Sequence, residues 1–240
     1  MADGAVETGF VRRKLHVENV ARRTDSVWLF TFRPDEGVST DDLVFNPGQV
    51  AVLALPGFGE AYLAIASPPD DPTRLEFLVK RSGDIGAQLC DLGQSAHAEL
   101  VGFVGRGFPI DEFPSRNLLF VAAGTAIAPI RAAISHAVKQ RDRFDRIVLV
   151  HGVRRPEDYA VDDEIDVWRA SGVDVRLTVT QPGESAWNGH VGRVQTLVAD
   201  ALTEPGATAA FVCGSDEMMV QTTELLESLG VAPERILRNY

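Results

Sequence analysis

The chain has 240 residues, with 34 acidic against 23 basic side chains, a formal net charge of −11, 45 % apolar residues and 24 % charged ones. That balance belongs to a soluble globular chain of one large or two compact domains, and its excess of acid argues against general nucleic-acid binding, which needs clustered Lys and Arg. Two cysteines, Cys90 and Cys213, exclude a disulfide framework, a four-ligand zinc site and a Cys-ligated iron–sulfur cluster, so no metal site is expected.

From residue 13 to residue 104 the chain reads as short β-rich runs: RKLHVENV, SVWLFTFRP, QVAVLAL, YLAIAS, LEFLVKR and HAELVGFV. Turn formers separate them, among them Asn46-Pro47-Gly48, Pro56-Gly57 and Pro68-Pro69-Asp70. Strands this short and evenly spaced predict a small antiparallel barrel. One helical segment interrupts it, at residues 85–90 after Ser82-Gly83-Asp84. Charge and Pro114 break the pattern over residues 111–116, where the domain boundary is expected.

The second half alternates strand and helix. Strands are predicted at 117–122, 147–150, 173–179 and 209–213, and helices at 128–140, 161–170, 191–202 and 216–229. Pro129 falls in a first helical turn, where proline is tolerated, and Ser215 is a suitable N-cap. Such alternation predicts a parallel sheet covered on both faces. The longest apolar run, 118–130, is broken by Gly124, Thr125 and Pro129 and is too short to span a bilayer. With no signal-type stretch in the first ten residues, a cytoplasmic protein without a membrane span is expected.

Three strand ends carry the chemistry of an anion site. FVAAGTAIAPIRAAI runs a buried strand into Gly124-Thr125 and then a helix, which aims free N–H groups and a positive helix end at the sheet's carboxyl edge. Taken alone, the segment fits a plain strand–helix turn equally well. FVCGSDEMM places Cys213-Gly214 at a second such edge, although Cys213 by itself reads as a buried small hydrophobe. VHGVRRPEDY places Arg154 and Arg155 after a third, as phosphate ligands or as a solvated basic turn. In the barrel half, a flat aromatic ligand could lie against AYLAIASPP, and Gly83 and Gly86 open a helix able to take a pyrophosphate. No Gly-x-Ser-x-Gly, His-Glu-x-x-His or Walker lysine motif is present, and the five histidines lack ligand spacing.

In order, these segments resemble the ferredoxin–NADP reductase superfamily of flavoproteins, over nearly the whole chain. Phe45-Asn46-Pro47-Gly48-Gln49 is similar to its Phe-x-Pro-Gly-Gln motif, and residues 61–67 stand where it carries Arg-x-Tyr-Ser-Ile-Ala-Ser. Residues 83–86 stand at its Gly-x-x-Ser/Thr, and Gly105-Arg106-Gly107-Phe108 at its Gly-x-x-Phe loop. Ala123-Gly124-Thr125-Ala126-Ile127-Ala128-Pro129 resembles Gly-Gly-Thr-Gly-Ile-Ala-Pro, and Cys213-Gly214-Ser215-Asp216-Glu217-Met218 resembles Cys-Gly-Pro-x-x-Met.

The resemblance implies an antiparallel FAD-binding β-barrel (10–112) followed by a parallel-sheet Rossmann-like NAD(P)-binding domain (113–240). It implies hydride passage between NAD(P)H and FAD, with electrons going on to an unidentified acceptor, protein or small molecule. FAD would contact Tyr62, Leu63, Ala64, Ile65, Ala66, Ser67, Gly83, Asp84, Ile85 and Gly86. The coenzyme would contact Gly124, Thr125, Ile127, Ala128, Pro129, Arg154, Arg155, Cys213, Gly214 and Met218. By the same likeness Ser67 lies at the flavin edge, Cys213 near the nicotinamide and Tyr240 on the isoalloxazine face, as the catalytic set. The family's arginine falls on Ala61, its tyrosine on Leu63, its serine on Ala64 and its helix-start hydroxyl on Gly86. Those departures keep a second reading open: a degenerate reductase-fold subunit or regulatory module with weak or no flavin.

Overall fold

The computed structural model describes residues 12–114 and 116–239. The first half contains β1 (Arg13–Arg22), β2 (Val27–Pro34), β3 (Val50–Leu55), β4 (Gly59–Ala64), β5 (Leu75–Lys80), α1 (Gly83–Leu92) and β6 (His97–Val104). The six strands form one antiparallel sheet in the order β4-β3-β6-β1-β2-β5. Its edge strands β4 and β5 also contact each other, which curls the sheet into a barrel. Alternation sets the inside: Phe30 and Phe32 on β2, Leu75 and Phe77 on β5 and Leu53 on β3 are fully buried. The Phe32 and Phe77 rings meet edge to face at 5.8 Å. Leu89 on α1 is buried in the same cluster.

The second half contains β7 (Asn117–Ala123), α2 (Ile127–Lys139), β8 (Arg146–Val153), α3 (Asp162–Ala170), β9 (Val173–Val179), β10 (His190–Val191), α4 (Gln195–Ala201), β11 (Thr208–Cys213), α5 (Asp216–Ser228) and β12 (Ile236–Arg238). They build a parallel sheet in the order β10-β9-β8-β7-β11-β12. Along β7, Leu118 and Phe120 face α2 and α3, while Leu119 and Val121 face α4 and α5. Each such side chain contributes ~1.5–3 kcal/mol on leaving water. The chain starts in the middle of this sheet, winds outward through β8 to β10, then returns on the other side of β7. The switch point therefore lies between the carboxyl ends of β7 and β11, where open α/β sheets bind ligands.

The sequence expectation lacks the short strands β10 and β12, and two of its elements are displaced. The strand read at YLAIAS starts earlier and ends at Ala64, and the helix read at 191–202 begins only at Gln195 because His190 and Val191 pair with β9. The two halves share one apolar core: Val27, Ala66 and Leu78 of the barrel pack with Phe108 and with Ile130 and Ile134 of α2. Among the described residues no helix is long and apolar enough to cross a membrane.

Candidate active site

A cleft of about 530 Å³ opens between barrel and parallel sheet. Its barrel wall is Leu63 and Ala64 of β4 with Leu78 and Lys80 of β5; its other wall is Thr125, Ala126, Ala128, Pro129, Cys213 and Gly214. Asn239 lies at its rim, its amide 4.0 Å from the Cys213 sulfur. Burial pushes the Cys213 thiol up to about 11, against a smaller lowering by Asn239, so the sulfur is a neutral thiol near pH 7.

One end of this cleft is the start of α1. Its N-cap residue Ser82 makes no side-chain cap, which leaves first-turn N–H groups for an anion. Gly86 follows from packing, because a Cβ there would overlap the Lys80 carbonyl oxygen. Of the two cations beside the helix, Arg81 is held by Asp91 at 2.7 Å. Lys80 forms no ion pair among the described residues and lines this cleft and the next one.

That neighbouring space, about 490 Å³, runs past Thr125, Gly124, Arg154 and Arg155. It continues into a third, about 400 Å³, under Gly152, Gln181, Arg193, Ser215, Glu217 and Met218. Gly124 has φ +58°, a backbone form L side chains rarely take, and the space where its Cβ would point is open. Beneath it, His151 is buried and donates from Nε2 to the Gly124 carbonyl at 3.1 Å. Burial lowers the imidazole to about 4, so it is neutral and the donor is the Nε2–H tautomer. Tyr159 packs edge-on to that ring at 5.2 Å and donates to the Thr178 carbonyl at 2.9 Å, with its phenol pushed up by burial. Arg154 donates to Gln181 at 2.8 Å, whereas Arg155 is 3.9 Å from Glu157.

The expected site residues divide accordingly. Tyr62, Leu63, Ala64, Ile85, Gly86, Thr125, Ala128, Pro129, Cys213 and Gly214 line the first cleft. Gly124, Arg154, Arg155 and Met218 line the spaces beyond. Gly83 and Asp84 are exposed in the first turn of α1, outside that lining. Ile65, Ala66 and Ile127 are core residues. Ser67 is fully buried with its hydroxyl unpaired and does not line the cleft, since β4 ends at Ala64 and the chain turns into the interface. Tyr240 lies outside the described residues. Lys80, Asn239, Gln181, Arg193 and Glu217 also line these spaces; no motif points to the last four, whereas Lys80 and Arg81 stand out in the sequence as cations able to replace the missing motif arginine.

Ferredoxin–NADP reductase B of Sorangium cellulosum is 31 % identical over 207 residues, covering 80 % of this chain and 84 % of its own. The chain belongs to the ferredoxin–NADP reductase superfamily. A family model described as an oxidoreductase NAD-binding domain matches residues 120–224 of this superfamily member. The sulfhydrogenase 1 subunit gamma of Pyrococcus furiosus is 28 % identical over 95 % of the chain and 78 % of its own length. A ferredoxin NADP+ reductase from Neisseria gonorrhoeae, solved with bound FAD and NADP, superposes with TM-score 0.79 at 21 % identity, covering 94 % of this chain and 96 % of that one. Superfamily members are oxidoreductases that bind FAD and NAD(P)H. The residues here fit both: an apolar slot takes a flat ring, and uncapped helix starts with Lys80 take phosphates.

Proposed function

We propose that this NAD(P)H-dependent flavin oxidoreductase holds FAD along β4 and the start of α1, and its nicotinamide coenzyme along Gly124, Arg154 and Ser215. We assign residues 10–112 to the flavin half and 113–240 to the coenzyme half. The observation that carries the reading is that Ala64 of the barrel and Thr125, Pro129 and Cys213 of the second half wall a single cleft. Held there, FAD would supply the hydride-accepting and one-electron-releasing chemistry, and the protein supplies position and electrostatics.

Leu63, Ala64 and Leu78 give one ring an apolar face, and Ala126 and Pro129 keep the second ring against it. Cys213 closes the slot as a neutral thiol that excludes water without adding charge. His151 fixes the Gly124 carbonyl, and the coenzyme phosphates would approach the turn at Gly124, where the Cβ direction is open. Arg154 and Arg193, with one carboxylate, Glu217, surround the far end, where a nucleotide's second phosphate or ribose would sit.

With two cysteines in the chain, no four-cysteine cluster lies within it, and we infer that a one-electron acceptor is a separate protein or a small molecule. The relatives include a dihydroorotate dehydrogenase electron transfer subunit and a propane monooxygenase reductase component; a partner acceptor of that kind is our reading for this chain. The deciding experiment is the visible spectrum of protein incubated with FAD, before and after anaerobic NADPH and NADH in turn. A flavin band that one coenzyme bleaches is the expected result. A protein that stays colourless with excess FAD refutes the reading and leaves the flavin-free module.

A further inference from the structure

Two of the hydrogen bonds that join the halves come from one side chain. Arg131 lies on α2, one turn beyond the residues that wall the cleft, with its side chain 13 % exposed. Its Nη1 donates to the Ala66 carbonyl at 2.8 Å and to Glu76 Oε2 at 2.5 Å, both on the barrel. Its Nε donates to both oxygens of Glu164 on α3, at 2.7 and 2.9 Å. Arg74 stands 3.5 Å from the other oxygen of Glu76. Arg74 also lies 3.3 Å from Asp71, so two guanidinium groups are shared among three carboxylates, Asp71, Glu76 and Glu164.

Burying charges is costly even when they are paired, and apolar residues of similar volume often serve stability as well or better. What a guanidinium adds is direction. Its planar fork fixes where each acceptor must lie, which neither an apolar contact nor an ammonium does. Here the three acceptors come from three separate segments. Ala66 is two residues beyond Ala64, which lines the barrel wall of the cleft, and α2 begins at the turn that lines the opposite wall. The other ties across the interface constrain the walls less. Lys139 and Asp70 pair at more exposed positions, and Arg23 reaches α3 rather than α2.

We propose that Arg131 is a positioning residue for electron transfer: it fixes the spacing of β4 against α2, and so the alignment of flavin and nicotinamide, without touching either. This rests on the proposed function, since it assumes that the two rings share the cleft. Arg131→Lys keeps the charge and removes the fork. In the full chain loaded with FAD, the limiting rate of flavin bleaching at saturating NAD(P)H is expected to fall about tenfold, while the Kd values for FAD and for coenzyme each stay within about threefold. In the flavin-free protein, amide hydrogen exchange is expected to rise over residues 65–67 and 75–77 and to stay unchanged over 118–122.

An unchanged limiting rate, or a loss of rate matched by an equal loss of FAD binding, overturns the proposal. So does unchanged exchange over 65–67. Should Arg131→Lys fail to fold, Glu76→Gln keeps the acceptor and the shape while removing its charge, and it must shift both readouts in the same direction by a smaller factor; a wild-type result there refutes the proposal. A wild-type protein that neither coenzyme bleaches refutes the functional reading instead, and the exchange measurement still decides whether Arg131 sets the spacing.

Discussion

Gly86→Ser gives the family's helix-start hydroxyl back to α1, and the structure predicts harm from it. The new Cβ would stand less than 3.0 Å from the Lys80 carbonyl oxygen, and that obstacle is backbone, not a flexible side-chain tip. The carbonyl is itself fixed, because it accepts the Ser82 amide at 2.8 Å. Overpacking of this kind costs ~1–3 kcal/mol. Replacing a helical glycine returns ~0.5 kcal/mol of propensity. The net loss of ~1–2 kcal/mol lowers the melting temperature by roughly 2–8 °C in a chain of this size. The retreating helix start also withdraws its N–H groups from the cleft, so FAD affinity should fall by about tenfold, equivalent to ~1.4 kcal/mol. Thermal melting of the flavin-free protein and a fluorescence titration with FAD read the two effects separately. A variant that melts with the wild type and binds FAD more tightly would show that α1 does not sit on β5 as described.

Three further outcomes follow from the same geometry. Lys80→Met removes the unpaired cation between the clefts; a hydrogen bond to a charged group contributes ~1.5–3 kcal/mol, less in this open position, so FAD affinity should drop about tenfold at low salt and little at 1 M salt. Equal titration curves for variant and wild type at low salt would dismiss Lys80 as a phosphate ligand. Gly124→Ala forces a side chain into φ +58°, at a cost of ~1–3 kcal/mol, and puts a methyl group where the coenzyme phosphates approach. The KM for NAD(P)H should therefore rise at least several-fold while FAD is retained. The third concerns acid stability. Burial lowers the folded-state pKa of His151 to about 4, below the ordinary imidazole value of 6.5, so the unfolded chain binds the extra proton between those values. Stability therefore falls as pH drops from about 7 toward 4, by ~3 kcal/mol at ~1.4 kcal/mol per tenfold. Denaturant titrations from pH 7 to pH 4.5 should show that slope in the wild type and a shallower one in His151→Gln; equal slopes would mean the imidazole is hydrated.

The parts of the fold legible in the sequence are those where local pattern and tertiary role agree. The alternation in LEFLVKR and the buried run before Gly124 each name an element, because each strand carries its own hydrophobic signature. The three residues of β12 carry none; they are a strand only because Ile236, Leu237 and Arg238 pair in parallel with β11. The end of β4 was hidden for the opposite reason. YLAIAS continues the apolar pattern without a break, yet Ile65 already bonds to the Gln49 carbonyl and Ala66 to that of Glu76. The strand therefore leaves its partner within an unbroken apolar run, and a residue read as facing the flavin, Ser67, goes into the interior. Lys80 was visible as a cation, but its place between two clefts depends on where β5 stops and α1 starts.

The departures from the family's motif have a common physical consequence. Ala61 and Ala64 bring small side chains to the barrel wall, and Gly86 lets α1 lie directly on the end of β5. Each removes a polar side chain that would have pointed at a ligand, and each brings backbone closer to the cleft. On the proposed function, recognition shifts from side-chain forks to helix-start N–H groups and one flexible ammonium, Lys80. N–H groups at a helix start still attract a phosphate, but they bind any phosphate placed there and offer less orientation than a guanidinium. Orientation must come from elsewhere in the molecule, and Arg131 is a buried guanidinium with two acceptors across the interface, Ala66 and Glu76, and a third, Glu164, on its own side. On the proposed function, a chain with Ala61 where the family carries arginine depends more heavily on the guanidinium between its walls, so Ala61→Arg should leave the slowed limiting rate of Arg131→Lys unrepaired; a repaired rate would show that the missing fork, and not the spacing of the walls, limits reduction.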